Sequence, residues 1–338
     1  MAPKAFICGC SGLELTEPER AFLRAEQPWG LILFARNCGE PDQIRRLVAS
    51  FRSIVGRADA PVLIDQEGGR IQRLKPPRWT AYPAAAAISE LAAADPQAGR
   101  RMAWLCGRLI GEDLFELGIT VDCAPVLDLR VAGAHDIVGD RSYGASADDI
   151  VPLAESVVDG LSAAGVAPVV KHIPGHGRAL ADSHLELPVV DASADTLAAD
   201  FEPFRRMNQL PMAMTAHVVY SAFDPQEPAT LSRRVIEEVI RGAIGFDGLV
   251  MTDDLSMRAL SGGVGENAAR ALAAGCDIAL HCNGDLGEMA EVAAACPPLA
   301  GKAAERAAAA TAWAARKAAD LAAARRELSA LSARPEEV

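Results

Sequence analysis

Short, almost unbroken runs of hydrophobic residues recur along the chain, separated by longer stretches whose apolar positions fall three and four apart. The runs are Lys4–Gly9, Leu31–Arg36, Pro61–Gln66, Ile119–Ala124, Ala167–His172, Met212–Val218, Gly248–Asp253 and Cys276–Cys282. Continuous apolarity, as opposed to alternation, is how a strand reads when both its faces are buried, as in a parallel sheet. Between the runs, Ile44, Leu47, Val48, Phe51 and Ile54 line one face of a helix expected over Pro41–Val55, with Pro41 suited to its first turn. Asp149–Ala164 repeats the pattern in Ile150, Leu153, Val157, Val158 and Leu161, and Leu231, Val235, Ile236, Val239 and Ile240 make a third such face. Strand and helix alternating about eight times predict an α/β fold, a (β/α)8 TIM-type barrel forming a single domain. An open doubly wound sheet is the rival architecture, but no GxGxxG turn follows the first run.

Two segments break the rhythm. Gly69–Gln97, with Pro76, Pro77 and Pro83, reads as a long insertion after the third strand. From Pro298 the chain is rich in Ala, Arg, Lys and Glu, which predicts one or two helices outside the barrel. The expected division is therefore a catalytic barrel over 1–297 and a helical tail over 298–338, packed on the barrel or partly mobile.

Composition narrows the class. Half of the 338 residues are hydrophobic and 23% are charged, enough for a large core and incompatible with global disorder. The net charge of −12 argues against a nucleic-acid partner, because phosphate backbones are bound mainly by Lys and Arg. No apolar run reaches the ~18 residues of a membrane span, so no membrane partner is expected. The apolar start is too short for a signal peptide and runs into Glu14, Glu17 and Glu19. The eight cysteines contain no CxxC pair. A cytoplasmic protein with reduced thiols is the expectation.

Chemistry in a barrel of this kind sits where strands end and the following loops begin. Asp65, Gln66 and Glu67 close the third run and Asp122 falls near the end of the fourth. Lys171 and His172 end the fifth, His217 the sixth, Asp253 and Asp254 the seventh, and His281 to Asn283 the eighth. A buried charge costs several kcal/mol unless it is paired or used, so repeated ionisable ends point to a site. The densest stretch runs from Lys171 through Pro174, Gly175, His176 and Gly177 to Asp182, Ser183 and His184. Its proline and glycines predict a sharp, mobile exit from the strand. Asp182 and His184 are two apart, so in an extended segment the carboxylate can orient the imidazole and stabilise its protonated form. His176 is open to a lesser role, pinning the loop.

Three motifs now carry a specific resemblance. Lys171–Gly177 with Asp182-Ser183-His184, Gly248–Asp253, and Ile64–Arg70 all resemble glycoside hydrolase family 3, in the family's order along the barrel. Within it, the chain resembles the single-domain bacterial cytoplasmic β-N-acetylglucosaminidases of peptidoglycan recycling. Ile173 stands where the family more often has Phe, a change expected to affect packing alone. The resemblance implies Asp253 as nucleophile and His184 as general acid/base supported by Asp182. It implies that Asp65, Arg73, Arg141, Lys171 and His172 hold the terminal sugar. Asp253 and Asp254 are neighbours that face opposite sides of a strand, and the family pattern selects Asp253, leaving Asp254 to cap the turn or support the site from behind.

The activity so implied is exo-acting, retaining removal of terminal non-reducing β-linked N-acetylglucosamine from muropeptide fragments, by a monomer needing no cofactor and no metal. A retaining glycosidase needs a nucleophile on one face of the ring and a proton donor on the other. A histidine with an ordinary pKa of ~6.5 can give and take that proton. Two-domain relatives bring in an acid from their second domain, whereas here the barrel must supply it. β-Glucosidase activity and phosphorolysis remain open within the family, since a histidine acid/base does not repel phosphate. A metal-dependent hydrolase using His172, His176, His184, His217 and Asp253 is the rival from another class. Pro174 and Gly175 between His172 and His176 leave that pair without a helix to align it. A non-catalytic sugar-binding protein would have lost the nucleophile or the acid, and both are present.

Overall fold

A computed structural model describes residues 2–183 and 185–333. Strands form at every one of the expected runs: Lys4–Cys8, Pro28–Leu33, Val62–Ile64, Val121–Asp122, Ala167–Pro168 with Val170–Ile173, Met212–Thr215, Leu249–Asp254 and Ile278–His281. Neighbouring strands pair in parallel. The fifth run is the seam of the ring. Its first half pairs with Val121–Asp122 and its second half with Met212–Thr215, so the two ends of the sheet belong to one continuous stretch. The result is the single parallel barrel that the alternation predicts.

Both strand faces are buried, which explains the unbroken apolar runs. Ala5, Ile7, Trp29, Ile32, Leu63, Val121, Val169, Met212, Leu249 and Ile278 fill the barrel interior. Phe6, Cys8, Leu31, Leu33, Val62, Ile64 and Val250 point outward and meet the helices. The helix over Pro41–Val55 buries Ile44, Leu47, Val48 and Phe51 as its spacing requires, and ends on Gly56 at φ 64.

Three local differences from the sequence reading have identifiable causes. The second strand ends at Leu33, because the Phe34 amide donates to Asn37 Oδ1 (2.9 Å) and turns the chain into a short 3-10 helix. The insertion after the third strand is less irregular than its prolines suggest. It opens with a hairpin, Gln66–Gly68 against Ile71–Gln72, and its alanine-rich part forms a helix over Ala85–Ala94, in keeping with alanine's helix propensity. The face made by Val235, Ile236, Val239 and Ile240 is buried as expected, but on a widened π-helix over Val235–Ala243.

The tail carries helices Gly301–Thr311 and Leu321–Ser332. The second buries Ala324 and Leu328 and is fastened to the helix Pro96–Glu116 by Arg101–Glu327 and Arg325–Asp113 ion pairs of 2.7 and 2.8 Å. Among the described residues, no helix is long and apolar enough to cross a membrane.

The helices Pro96–Glu116 and Ala147–Ala164 approach closely enough that only glycine fits at their contact. A Cβ on Gly107 would lie 2.2 Å from the Val157 carbonyl oxygen, and one on Gly160 would lie 2.4 Å from that of Trp104. Gly160→Val should therefore force the helices apart and cost about 3 kcal/mol of stability. A lowered urea midpoint at unchanged slope would show this, and an unchanged midpoint would mean the contact can relax freely.

Candidate active site

The C-terminal ends of the strands surround a pocket of about 320 Å3. One wall is a chain of five charged side chains. Asp65 Oδ2 accepts from Arg73 (3.0 Å) and Oδ1 from Lys171 Nζ (2.8 Å). Lys171 Nζ also lies 2.7 Å from Glu67 Oε1, and Glu67 receives a two-pronged bond from Arg141 at 2.8 and 2.9 Å. Asp65 and Glu67 are two apart in extended backbone, so both carboxylates project to the same side. Three cations against two carboxylates leave one net positive charge.

Burial alone would raise both carboxyls, but the cations outweigh it. Asp65 is held well below the ordinary aspartate range by Lys171 and Arg73, and Glu67 is pulled down to about 2 by Arg141 and Lys171. In return, Asp65 and Glu67 overcome the burial of Lys171 and keep its ammonium charged. Buried Gln66 organises the hairpin beneath. Its Oε1 accepts from the amides of Arg73 and Leu74 at 2.8 and 3.0 Å, which fixes where Arg73 leaves the backbone.

The second wall is built from histidines. His172 Nδ1 lies 2.7 Å from Asp128 Oδ2, and Asp128 Oδ1 accepts from the amides of His172 (3.1 Å) and His176 (2.7 Å). His176 is buried, its Nε2 lies 3.2 Å from Ser183 Oγ, and burial together with neighbouring His172 lowers its pKa to about 4. The Ser183 carbonyl accepts from the Ala259 amide at 3.2 Å, tying the loop after the fifth strand to the loop after the seventh.

Asp253 and Asp254 end the seventh strand and divide the work. Asp254 Oδ1 accepts from the amides of Ser256 and Cys282 (both 3.1 Å), and Oδ2 accepts from Ser256 Oγ (2.7 Å), so it caps the turn and ties it to the eighth strand. Asp253 Oδ1 accepts from the Asp254 amide at 2.8 Å, and Oδ2 has no hydrogen bond from a described residue. Burial would raise Asp253, yet nearby His217 and His172 hold it below the ordinary range. It is partly exposed on the pocket wall, and a carboxylate with one oxygen unengaged is chemically able to act as a nucleophile. Ile32, Phe34, Met214, Met257 and Leu280 supply apolar surface between the polar groups, a mixture suited to a sugar ring.

Of the residues expected from the sequence, Asp65, Arg73, Arg141, Lys171, His172 and Asp253 all line this pocket. Asp182 is described but is not among the lining residues, and its carbonyl accepts from the amides of Leu185 and Glu186. His184 lies outside the described residues. Sequence reasoning noted Glu67 at a strand end without assigning it to the site, although its spacing from Asp65 was the available signal. Asp128 gave none.

The strand-end rule over-reached at three positions. Asp122 is fully buried beneath the site, accepts from the Gln66 amide at 3.0 Å, and is raised well above the usual carboxyl range by burial. His281 bonds Glu288 at 2.8 Å, at the start of the following helix. His217 spends Nδ1 on Thr230 Oγ1 (2.7 Å) and Nε2 on the Asp254 carbonyl (3.0 Å), which leaves neither nitrogen for a metal. Among the described residues, no group of three or more His, Cys, Asp or Glu is arranged to hold one.

Residues 10–310 match the glycosyl hydrolase family 3 N terminal domain. The chain is 40% identical over 282 residues to a beta-hexosaminidase of Alkalilimnicola ehrlichii, covering 82% of this chain and 80% of that protein. Among solved structures it resembles NagZ from Neisseria gonorrhoeae in complex with N-trifluoroacetyl-D-glucosamine, with a TM-score of 0.82, 31% identity and 99% of each chain covered. It also resembles a family 3 beta-N-acetylglucosaminidase from a Paenibacillus species, with a TM-score of 0.81 and 32% identity. There it spans 63% of the longer relative and 99% of itself is covered.

The buried charges make stability sensitive to acid. Native His176 (about 4 against an ordinary 6.5) and Glu67 (about 2 against 4.5) both sit below their unfolded values. The unfolded chain therefore binds more protons within each window, and stability falls as pH falls, by about 1.4 kcal/mol per unit and group. The urea midpoint should begin to drop near pH 6.5 through His176 and steepen below 4.5 through Glu67. Glu67→Gln should cost about 3–5 kcal/mol at neutral pH, by leaving Arg141 and Lys171 underpaired, and should make the steeper limb shallower, the remainder coming from Asp65 and the other depressed carboxylates. A variant whose acid limb matches the parent would contradict this assignment.

Proposed function

The chain belongs to glycosyl hydrolase family 3, and on that premise we propose that it is an exo-acting, retaining β-N-acetylhexosaminidase. It removes terminal non-reducing β-linked N-acetylglucosamine. Its natural substrates are muropeptide fragments carrying anhydro-N-acetylmuramic acid, met in the cytoplasm during cell-wall recycling, and it works as a monomer. The observation that carries the reading is the convergence of Asp253 with Asp65, Arg73, Arg141, Lys171 and His172 on one sugar-sized pocket.

The chemistry follows from those groups. Charged donors and acceptors of fixed direction hold the hydroxyls of the terminal sugar and set its anomeric carbon against Asp253. The Asp253 carboxylate attacks that carbon, a glycosyl ester forms, and the bond to the aglycone oxygen breaks. His184, turned and kept protonated by Asp182, delivers a proton to the departing oxygen. The same imidazole then takes a proton from water, which attacks the ester carbon and releases the sugar with its configuration retained. No step calls for a cofactor or a metal, so dialysis against EDTA should leave the rate unchanged, and a large loss restored by zinc would overturn this.

The direct test compares hydrolysis of aryl β-N-acetylglucosaminide with aryl β-glucoside, with and without phosphate. The first substrate should be strongly preferred, with phosphate without effect. Preference for the glucoside, or release of sugar 1-phosphate, would redirect the reading to the β-glucosidase or phosphorylase branch. A 5-fluoro sugar should label Asp253, as read by peptide mapping. Label on Asp254, or an inverted first product, would overturn the mechanism.

His184 can be tested through the leaving group. His184→Ala should slow poor leaving groups by ~10²–10⁴-fold and activated phenols far less, because a good leaving group departs without a proton. Asp182→Asn should shift rates in the same direction by a smaller factor. Equal losses on both substrate types would point to binding or folding instead.

A further inference from the structure

Asp128 has no part in the scheme above, yet it is fully buried and makes three short contacts to the two histidines of the pocket wall. It lies 44 residues from His172 in sequence, in the segment following the fourth barrel strand. An ionised carboxylate offers acceptors only, so the nitrogen facing it must carry the proton. Burial would raise Asp128, but the hydrogen bonds from the His172 ring and the His176 amide help to lower it instead. Its partner is Nδ1 of His172, and Nε2 of that ring has no hydrogen bond to a described residue while the ring lines the pocket.

We infer that Asp128 is a positioning residue that fixes a proton on Nδ1 of His172, so that Nε2 is the nitrogen left to face the sugar as a hydrogen-bond acceptor. The same carboxylate fastens the start of the loop after the fifth strand. One oxygen, Oδ1, receives the amides of His172 and His176, so the strand end and the loop's first turn share an anchor. The ligand chemistry follows: at this point the site selects a sugar hydroxyl able to donate, and an ether or fluorine there would leave Nε2 unpaired. This rests on the proposal that His172 contacts the sugar, but the tautomer itself can be measured without any substrate.

Asp128→Asn separates the two roles. The amide carbonyl can keep both backbone bonds, while its NH2 group takes the place of Oδ2 and must donate to Nδ1. The proton then moves to Nε2, and the ring presents a donor where an acceptor stood. Histidine-labelled protein is examined by long-range ¹H–¹⁵N NMR at a pH where the ring is neutral, with His172→Gln identifying the signals. The parent should show Nδ1–H at His172 and Asp128→Asn should show Nε2–H. On aryl β-N-acetylglucosaminide, kcat/KM should fall about 10–100-fold in the variant, the cost of one mismatched buried hydrogen bond.

Nε2–H in the parent overturns the inference, and that measurement stands even if the variant does not fold. An unflipped variant, or a flipped one with unchanged kcat/KM, overturns it as well. A parent inactive on aryl β-N-acetylglucosaminide would sink the proposed activity instead, and the tautomer would still decide the role of Asp128.

Discussion

The ammonium of Lys171 is the constraint around which the site is arranged. It is only 2% exposed, in a strand that is otherwise apolar except for its neighbour His172. Removing such a charge from water costs several kcal/mol, which must be recovered from well-placed opposite charges. Asp65 and Glu67 supply them from the third strand's exit, at 2.8 and 2.7 Å. Each carboxylate in turn needs more than a half-share of one lysine. Arg73 and Arg141 complete them, and those arginines sit on separate loops. One buried lysine thereby recruits four further side chains and brings together the exits of the third, fourth and fifth strands.

The barrel below makes that cluster possible. Apart from Trp29, its interior is filled with aliphatic and sulfur-containing side chains up to Met214, Leu280 and Cys282, and the polar groups of the pocket lie above this plug. Water is thus confined to the mouth, and the local dielectric strengthens every ion pair there while penalising any group left unpaired. Three histidines at the fifth and sixth strand exits show how partners divide chemically equal residues. His172 pairs with a carboxylate and keeps one nitrogen for the pocket. His176 is driven neutral by burial, and His217 is consumed by Thr230 and the Asp254 carbonyl.

The seventh strand shows the same division between adjacent residues. Asp254 engages both oxygens on the turn and on Cys282 just past the eighth strand, which immobilises the backbone that carries Asp253. The Asp254 amide then holds one oxygen of Asp253 and leaves the other to the pocket. That combination of fixed position and an unengaged lone pair is what the proposed nucleophilic role of Asp253 requires.

Local pattern was enough to read the strands, the helix faces and the end of the barrel where ionisable residues gather, because burial of both strand faces and of one helix face imposes periodicities of the chain itself. Motif order along that frame carried Asp65, Arg73, Arg141, Lys171, His172 and Asp253 to one pocket. Spacing could not say which strand-end groups look inward. Asp122 and His281 follow the same rule as Asp65, and only the pleat and the closing of the sheet turned them toward other partners. Nor could it find the pairs that join distant segments, Glu67 with Arg141 across 74 residues and Asp128 with His172 across 44. Periodicity reports what lies above and below a residue in its own element. Which charge meets which is decided when the barrel closes, because in a dry interior each buried ion must take whatever partner the closed ring brings within reach.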